Sequence, residues 1–573
     1  MKADIHAPST QTMNGANIVL KCLEAEGVDV VFGYPGGVIL PIYEALPDYP
    51  GIQHILVRHE QGATHMAEGY ARTTGKPGVV LATSGPGATN TVTGIADAYY
   101  DSVPLVVLTG NVPTTLMGND AFQEADILSI TRACTKHNLI VRDIQDLASA
   151  MREAFFVATT GRPGPVVVDL PKDILNATAP FFYPEMPHLP GYDLSEAYNQ
   201  ETLNTVLDLL KTAERPMILS GGGVVSAGAH EEVTEFARRF NIPVTCSLMG
   251  LGGFPASDPL FQGFCGMHGH YWTNIAIANA DVLIVAGNRL NDRQTGKADR
   301  FARNAKIIHI DLDPTSLQKN VEVTVPVQGE IRGVFQQLLA QTQDMAPFAT
   351  SMATRPAWFE QIESWKQRRK PIERPEGKMT PQYVIDRIFQ NLPKDACVTT
   401  EVGQHQMWAA QSFNLDAPRS FITSGGLGTM GFGFPAAIGI QAAYPERLVV
   451  DVAGDGSFQM TLQELATAKI YGLNVVVAII NNARLGMIRQ WQGKMFGRES
   501  EAYMWSPDYV KLAEAYGCKG IVIDRVEDVD RVLQEVYAHR DCPVLLDFRV
   551  AEQADVYPWV PAGASNEEML TEN

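Results

Sequence analysis

The sequence predicts an α/β protein built from three doubly wound parallel-sheet domains. Three observations carry that expectation. Short apolar runs alternate with helical periodicity along most of the 573 residues, which is the βα pattern of parallel sheets. The runs are continuous rather than alternating, as in Leu448–Ala453, so both faces of each sheet are covered. Pro180, Pro184, Pro187 and Pro190 crowd into one short stretch, which reads as an extended linker. The expected units are 13–180, 191–345 and 375–560, followed by a C-terminal tail, 561–573, whose acidic end frays or covers a site.

In the first unit, helix Gly15–Glu26 leads to strand Val28–Phe32 and the turn Gly33-Tyr34-Pro35-Gly36-Gly37. Strand His54–Val57 runs into Arg58-His59-Glu60-Gln61-Gly62. Helix Ala63–Thr74, strand Val79–Ala82, turn Ser84-Gly85-Pro86-Gly87, helix Asn90–Tyr100 and strand Leu105–Thr109 come next. Glu60, at a strand end before an apolar helix start, reads from the residues alone either as a first-turn acid favoured by the helix dipole or as a functional carboxylate.

The second unit has strands Pro216–Leu219, Pro243–Cys246, Val282–Ala286 and Ile307–Ile310. They end in Gly221-Gly222-Gly223, Ser247-Leu248, Gly287 and Asp311. Arg289 and Arg293 are four apart. On a helix they share a face that grips a diphosphate, or they form a solvated basic face. Helix Ala357–Arg369 and the segment Pro371–Pro381 lead to the third unit.

There, strand Cys397–Glu401 precedes Gly403-Gln404-His405. Val449–Asn482 reads as strand, Gly454-Asp455-Gly456 turn, helix Met460–Tyr471 stopped by Gly472, and strand Val475–Ile480 ending in Asn481-Asn482. In a right-handed βαβ unit both strands point the same way. Asp455 and Asn482 therefore emerge at one sheet edge, where open α/β folds bind ligands. Their hard oxygens suit Mg²⁺, and the glycines admit a diphosphate closely; a plain turn is the alternative. The stretch TSGPGATN…VPLVVLTGN in the first unit parallels AGDGSFQM…LNVVVAIINN in the third. That indicates an internal duplication whose first copy lacks the metal-binding Asp. Gly426-Leu427-Gly428-Thr429-Met430-Gly431 matches G-x-G-x-x-G, but without a clear βαβ unit around it this is not read as a NAD site. Strand Val544–Phe548 closes the unit.

The net charge of −19 argues against general binding to nucleic acid or anionic membranes. Seven scattered cysteines without a CxxC pair give neither a disulfide framework nor a zinc site. No apolar run reaches transmembrane length, and the first twelve residues lack a signal-peptide core. The expected location is the cytoplasm, or the chain is a processed mature form.

The GDG…NN stretch resembles the signature of thiamine-diphosphate enzymes. Together with YPGG, RHEQGA, SGPGATN, AFQEAD, GRPGP and DLPKD, in order from about residue 13 to 560, it resembles the catalytic subunits of the acetohydroxyacid (acetolactate) synthase family. The resemblance implies that Asp455, Asn482 and the backbone carbonyl of Arg484 hold Mg²⁺. It implies that Glu60 bonds the pyrimidine N1′ and so lets the 4′-nitrogen take the C2 proton, which asks that its carboxyl be shielded from water. By the same likeness, Tyr34, Thr83, Pro86, Asn90 and Gln123 line the pyrimidine side of the cofactor. Gly403, Gln404, His405, Gly428, Gly454, Gly456, Ser457 and Gly486 are implied along its diphosphate side. Met430 is implied as a wedge beneath the bent cofactor, with Met487 touching its rings.

GMHG at 266–269 and the run from Gly287 to Lys297 resemble the family's flavin motifs, with Leu290 and Asn291 departing from the pattern. They imply FAD held by Arg162, Gly221, Gly222, Gly223, Ser247, Leu248, Met267, His268, Gly287, Arg289, Arg293 and Asp311. The likeness also implies that Gly37, Phe122, Gln123, Lys172 and Trp491 face the substrate, and that Val38, where the family usually has Ala, narrows the channel. Lys172 suits a 2-keto-acid carboxylate, although lysines after a strand end are commonly at the surface. Met430 and Trp491 read equally as core residues without the family match. The implied activity decarboxylates pyruvate and condenses the two-carbon fragment with pyruvate or 2-ketobutyrate, in branched-chain amino-acid synthesis. The implied assembly is a homodimer or homotetramer with sites between subunits and a small regulatory subunit. A pyruvate-oxidase-like enzyme, an FAD-independent catabolic acetolactate synthase and a non-catalytic homologue are the alternatives.

Overall fold

The computed structural model describes residues 12–342, 355–369 and 371–571. The expected end of the middle unit at 345, most of the N-terminal stretch and the last two residues of the tail lie outside these. Three six-stranded sheets carry the fold, and every pairing within them is parallel. With each sheet's strands numbered in its own chain order, the first and third sheets share the lateral order 2-1-3-4-6-5. The duplication read from two short motifs thus extends to the whole topology. The middle sheet has the order 3-2-1-4-5-6, the dinucleotide-binding arrangement, whose ligand crevice opens beyond the carboxyl ends of strands 1 and 4. Those strands are Pro216–Ser220 and Val282–Ala286.

The first and third sheets are joined through two helices, Glu60–Thr74 and Gly433–Ala443. Their approach is close because each presents a glycine to the other. A Cβ on Gly69 would lie 2.1 Å from the Ala436 carbonyl oxygen, and one on Gly439 would lie 1.9 Å from that of Met66. Ala63, Met66, Ile438 and Ala468 belong to one apolar core spanning this contact. Beside it, Arg72 donates to Glu68, Asp97 and Asp101. Asp101 accepts from Gly425 N and Gly426 N at 3.0 and 2.7 Å, so the Gly-rich loop is tied to the first sheet's helices.

Several element boundaries differ from expectation. The helix expected from Ala63 begins at Glu60, because the His59 side chain caps it by accepting from Gln61 N at 3.1 Å. Asn90–Tyr100 is two helices, Pro86–Asn90 and Val92–Asp101, divided where the Thr91 hydroxyl bonds back to the Ala88 carbonyl. The turn at Gly454-Asp455-Gly456 is instead a strand end at Gly454 and a short helix Asp455–Phe458. Helix Met460–Tyr471 is cut to a 3₁₀ turn, Leu462–Glu464, and a helix, Leu465–Ile470. Thr461 leaves helical geometry there (φ −134°) as its hydroxyl donates to the Gly431 carbonyl. Helix Ala357–Arg369 is observed as Arg355–Lys366. Rather than fraying, the tail docks on the middle sheet's helices. Lys297 N bonds Ala564 O, Trp559 pairs with Leu570, and Met569 packs with Met267 and Trp559. Among the described residues no helix is long and apolar enough to cross a membrane.

Candidate active site

The residues singled out in the sequence gather at the carboxyl ends of the three sheets. In the first sheet, Glu60 comes after strand Gln53–Leu56 and Thr83 after strand Gly78–Ala82. Glu60 is 8 % exposed and accepts from Asn90 Nδ2 at 2.9 Å. Gly87 leaves room for this: a Cβ there would stand 3.3 Å from Glu60 Oε1 and 2.7 Å from Thr83. The Thr83 hydroxyl is buried with no partner, an orphan that fits a polar ligand. Gln123, at φ 59°, packs its backbone against Gly85, just before Pro86 opens its helix. Tyr34 stands at the same edge, exposed.

In the third sheet, Gly454 pairs with Ile480, so Asp455 and Asn482 leave adjacent strands at one edge. Asp455 is buried, and burial pushes its carboxyl up to about 6 even though the Ser506 hydroxyl donates to it at 2.9 Å. A buried carboxylate, an Asn amide oxygen and a backbone carbonyl delivered to one sheet edge make a donor set for a hard cation. Asn482 Oδ1 accepts from Arg484 N at 3.1 Å, which fixes the turn that carries the Arg484 carbonyl.

The His405 ring is wedged between two bare backbones, since Cβ atoms on Gly403 and Gly454 would fall 2.8 and 2.7 Å from its Cε1. Burial lowers its pKa to about 4, so the ring is neutral at pH 7, and its Nε2 has no partner. Gln404 donates to Gln490 and to Ala554 O while its Oε1 is unpaired. Gly456 faces Leu485. Ser457 donates to Glu401, which also accepts from Gly431 N at 2.7 Å and so holds the residue after Met430. These unpaired buried atoms and glycine-lined backbones fit a diphosphate-bearing ligand.

A cavity of about 640 Å³ opens at the middle sheet, within the range of cofactor sites. All of the residues expected to hold FAD line it except Gly221. A Cβ on Gly221 would strike the Gly287 carbonyl at 2.1 Å, so this glycine serves strand packing. Arg289 and Arg293 do not share a helix: Leu290 is at φ 50° and the helix spans only Asp292–Thr295. Both nevertheless line the cavity, with Arg162, and three guanidinium groups beside glycine-ended strands fit a dinucleotide diphosphate. Gly403, Gly428, Met487 and Trp491, from the third sheet's unit, also line the cavity. Arg293 lies 5.5 Å over the Trp491 ring.

Of the residues expected to face substrate, only Trp491 lines this cavity. Val38 packs on Gly110, Gly37 is open, Lys172 begins helix Lys172–Asn176, and Phe122 is 89 % exposed. Among the described residues no hydrogen bond or ion pair joins the Glu60 group to the Asp455 group. Sequence reading missed Ser506, Tyr509 (whose hydroxyl bonds Asp455 O at 3.1 Å), Glu401 and Glu464. None of the four sits in a recognisable motif, and their partners are remote in sequence.

Comparison with known proteins accords with this architecture. Residues 13–130 match the thiamine pyrophosphate enzyme N-terminal TPP binding domain, 203–338 the central domain, and 401–548 the C-terminal TPP binding domain. The chain is 46 % identical to the acetolactate synthase large subunit of Haemophilus influenzae, over 98 % of both chains. It is also 46 % identical to the acetolactate synthase isozyme 3 large subunit of Escherichia coli, again over 98 % of both. With the large subunit of Corynebacterium glutamicum it shares 45 % identity over 98 % of this chain and 90 % of the other. Motifs, topology and near full-length likeness agree: the chain belongs to the acetolactate synthase large-subunit family of thiamine-diphosphate enzymes.

Proposed function

We propose a division of labour for the acetolactate synthase reaction, in which pyruvate is decarboxylated and the two-carbon fragment is joined to a second pyruvate or to 2-ketobutyrate. The products are 2-acetolactate and 2-aceto-2-hydroxybutyrate, at the first common step of branched-chain amino-acid synthesis. Bound thiamine diphosphate supplies the carbon nucleophile and accepts the electron pair released by decarboxylation. Glu60 holds a proton at the pyrimidine N1′, and Asn90 orients its carboxyl. Asp455, Asn482 and the Arg484 carbonyl hold Mg²⁺ on the diphosphate. Gln404 and His405 present their unpaired atoms to that diphosphate. Met430 and Met487 exclude water from the cofactor rings. Lys172 binds a keto-acid carboxylate, and Trp491 shapes the pocket of the second keto acid. Arg162, Arg289 and Arg293 hold FAD, which undergoes no net redox change.

One observation carries this reading. Glu60 and Asp455 stand at the carboxyl edges of two sheets of the same topology, and a cavity lined by three guanidinium groups adjoins the second of them. In this reading each complete site takes Glu60 from one chain and Asp455 with Asn482 from its partner. Exposure of Tyr34 (41 %), Phe122 (89 %) and Ile488 (50 %) supports that pairing. A homodimer or homotetramer in the cytoplasm, with a small regulatory subunit, completes the proposal.

Product analysis tests it. Purified protein is incubated with pyruvate, thiamine diphosphate and Mg²⁺, with and without FAD, in anaerobic buffer. FAD-dependent acetolactate is the expected result. FAD-independent acetolactate in flavin-free protein identifies the catabolic type, and acetate formed only with an electron acceptor identifies an oxidase. Either overturns the assignment.

A further inference from the structure

The turn that delivers Glu60 is held from the third sheet. Arg58 N donates to Glu464 Oε1 and Oε2 at 3.0 and 3.1 Å, and His59 N donates to Oε1 at 3.0 Å. The Thr467 hydroxyl donates to Oε2 at 2.7 Å and reaches the Leu56 carbonyl at 3.2 Å. Leu56 N donates to the Tyr471 hydroxyl at 2.9 Å. Three side chains of one segment, Glu464, Thr467 and Tyr471, therefore grip the backbone from Leu56 to His59. The fit is close: Glu464 is fully buried, and a Cβ on Gly62 would lie 2.5 Å from its Oε1. The segment comes after Asp455 in the chain, yet its carboxylate serves the other half-site.

We propose that Glu464 is a positioning residue for proton transfer: by clamping the two peptide N–H groups that precede Glu60, it sets where the Glu60 carboxyl stands, without touching cofactor or substrate. This rests on the proposed role of Glu60. Glu60 is the first residue of its helix, so its side chain hangs from the backbone that Glu464 holds. A buried carboxyl group that accepts from two successive peptide N–H groups leaves that backbone little freedom. A displacement of about 1 Å in a reacting group costs on the order of 100-fold in rate.

The experiment is the rate of hydrogen–deuterium exchange at C2 of bound thiamine diphosphate. It is measured by acid quench and NMR in the full-length enzyme loaded with thiamine diphosphate, Mg²⁺ and FAD, with thiamine diphosphate affinity determined alongside. Glu464→Gln keeps the shape but accepts through one oxygen. It is expected to slow exchange roughly 10-fold to 100-fold, with kcat falling in step and the KM for pyruvate and the cofactor affinity unchanged. Thr467→Val removes the hydroxyl that orients the carboxylate together with its own contact to the Leu56 carbonyl; it is expected to slow exchange less, and it carries the test of this clamp alone if Glu464→Gln does not fold. Wild-type exchange in the folded variants, while a Glu60→Gln control is slow, overturns the role of Glu464 and leaves Glu60 in place. Lost cofactor affinity with unchanged exchange overturns it too. Wild-type exchange in Glu60→Gln itself removes the reading of Glu60, and the proposal with it.

Discussion

Asn90 donates from its side-chain amide to Glu60 Oε2 at 2.9 Å, across two successive βα turns of the first sheet. The bond leaves Oε1 of a nearly buried carboxyl available to a ligand. Glu60→Gln keeps the size and the contact but cannot exchange a proton in the same way. It is expected to bind thiamine diphosphate normally while kcat falls about 10²-fold to 10⁴-fold, the range of general acid–base contributions. Steady-state kinetics beside a cofactor titration checks this, and near wild-type turnover contradicts it.

Asp455 leaves its sheet edge as a buried carboxylate, and its hydrogen bonds come from Ser506 and from the surrounding backbone. Asp455→Ala removes the charged oxygen of the proposed metal set. Mg²⁺-dependent binding of thiamine diphosphate is expected to disappear, as read by calorimetric titration with and without the metal. An unchanged affinity removes the assignment.

Gly486 opens its helix where Gln404 and Asn482 converge. A methyl there would fall 2.1 Å from Gln404 Oε1 and 2.9 Å from Asn482 Nδ2. Gln404 is held by two further hydrogen bonds and has nowhere to retreat. Gly486→Ala is expected to weaken thiamine diphosphate binding roughly tenfold, the cost of one misplaced hydrogen-bonding group, with the fold intact by circular dichroism.

Asp169 is buried in the strand that leads to Lys172, where it accepts from the Thr109 hydroxyl at 2.7 Å and from the Asn111 amide. Burial pushes its pKa up to about 7. The folded state therefore binds a proton that the unfolded chain has lost, and this group's contribution to stability falls as pH rises from about 4 to about 7. Asp169→Asn does not titrate. Relative to wild type it is expected to gain stability across that window, by up to about 4 kcal/mol, in denaturant unfolding at a series of pH values. Parallel curves contradict the prediction.

Much of this was legible in the sequence because it is local. Continuous apolar runs marked four of the six strands of each sheet, and the 449–482 stretch placed Asp455 and Asn482 at one edge. Of the six strands missed, five, such as Phe261–Phe264 and Phe421–Thr423, are short edge strands, and the sixth is Pro165–Pro171. The failures share a different cause. Helix 460–471 reads as continuous by periodicity, but Thr461 turns to Gly431 and Glu464 to Arg58, contacts that no local pattern announces. Arg289 and Arg293 have helical spacing, yet Leu290 adopts a positive φ that composition does not foretell; both reach the cavity by separate routes. Whether the tail frays or covers a site was not legible, because its partners, Met267, Gln294 and Lys297, belong to the middle sheet's domain. Local chemistry fixes which residues reach an edge, and remote pairings fix how they are held.

In the proposed enzyme a complete site draws Glu60 from one chain and Asp455 from its partner. The direct test mixes Glu60→Gln and Asp455→Ala proteins, each inactive alone, by dissociation and reassociation, and then assays acetolactate. A mixed dimer has one site with both defects and one with neither. Random pairing is thus expected to restore about a quarter of wild-type specific activity, as the symmetry of a two-chain assembly requires. No recovery in verified mixed dimers would show that both residues act within one chain, and the shared site would be ruled out.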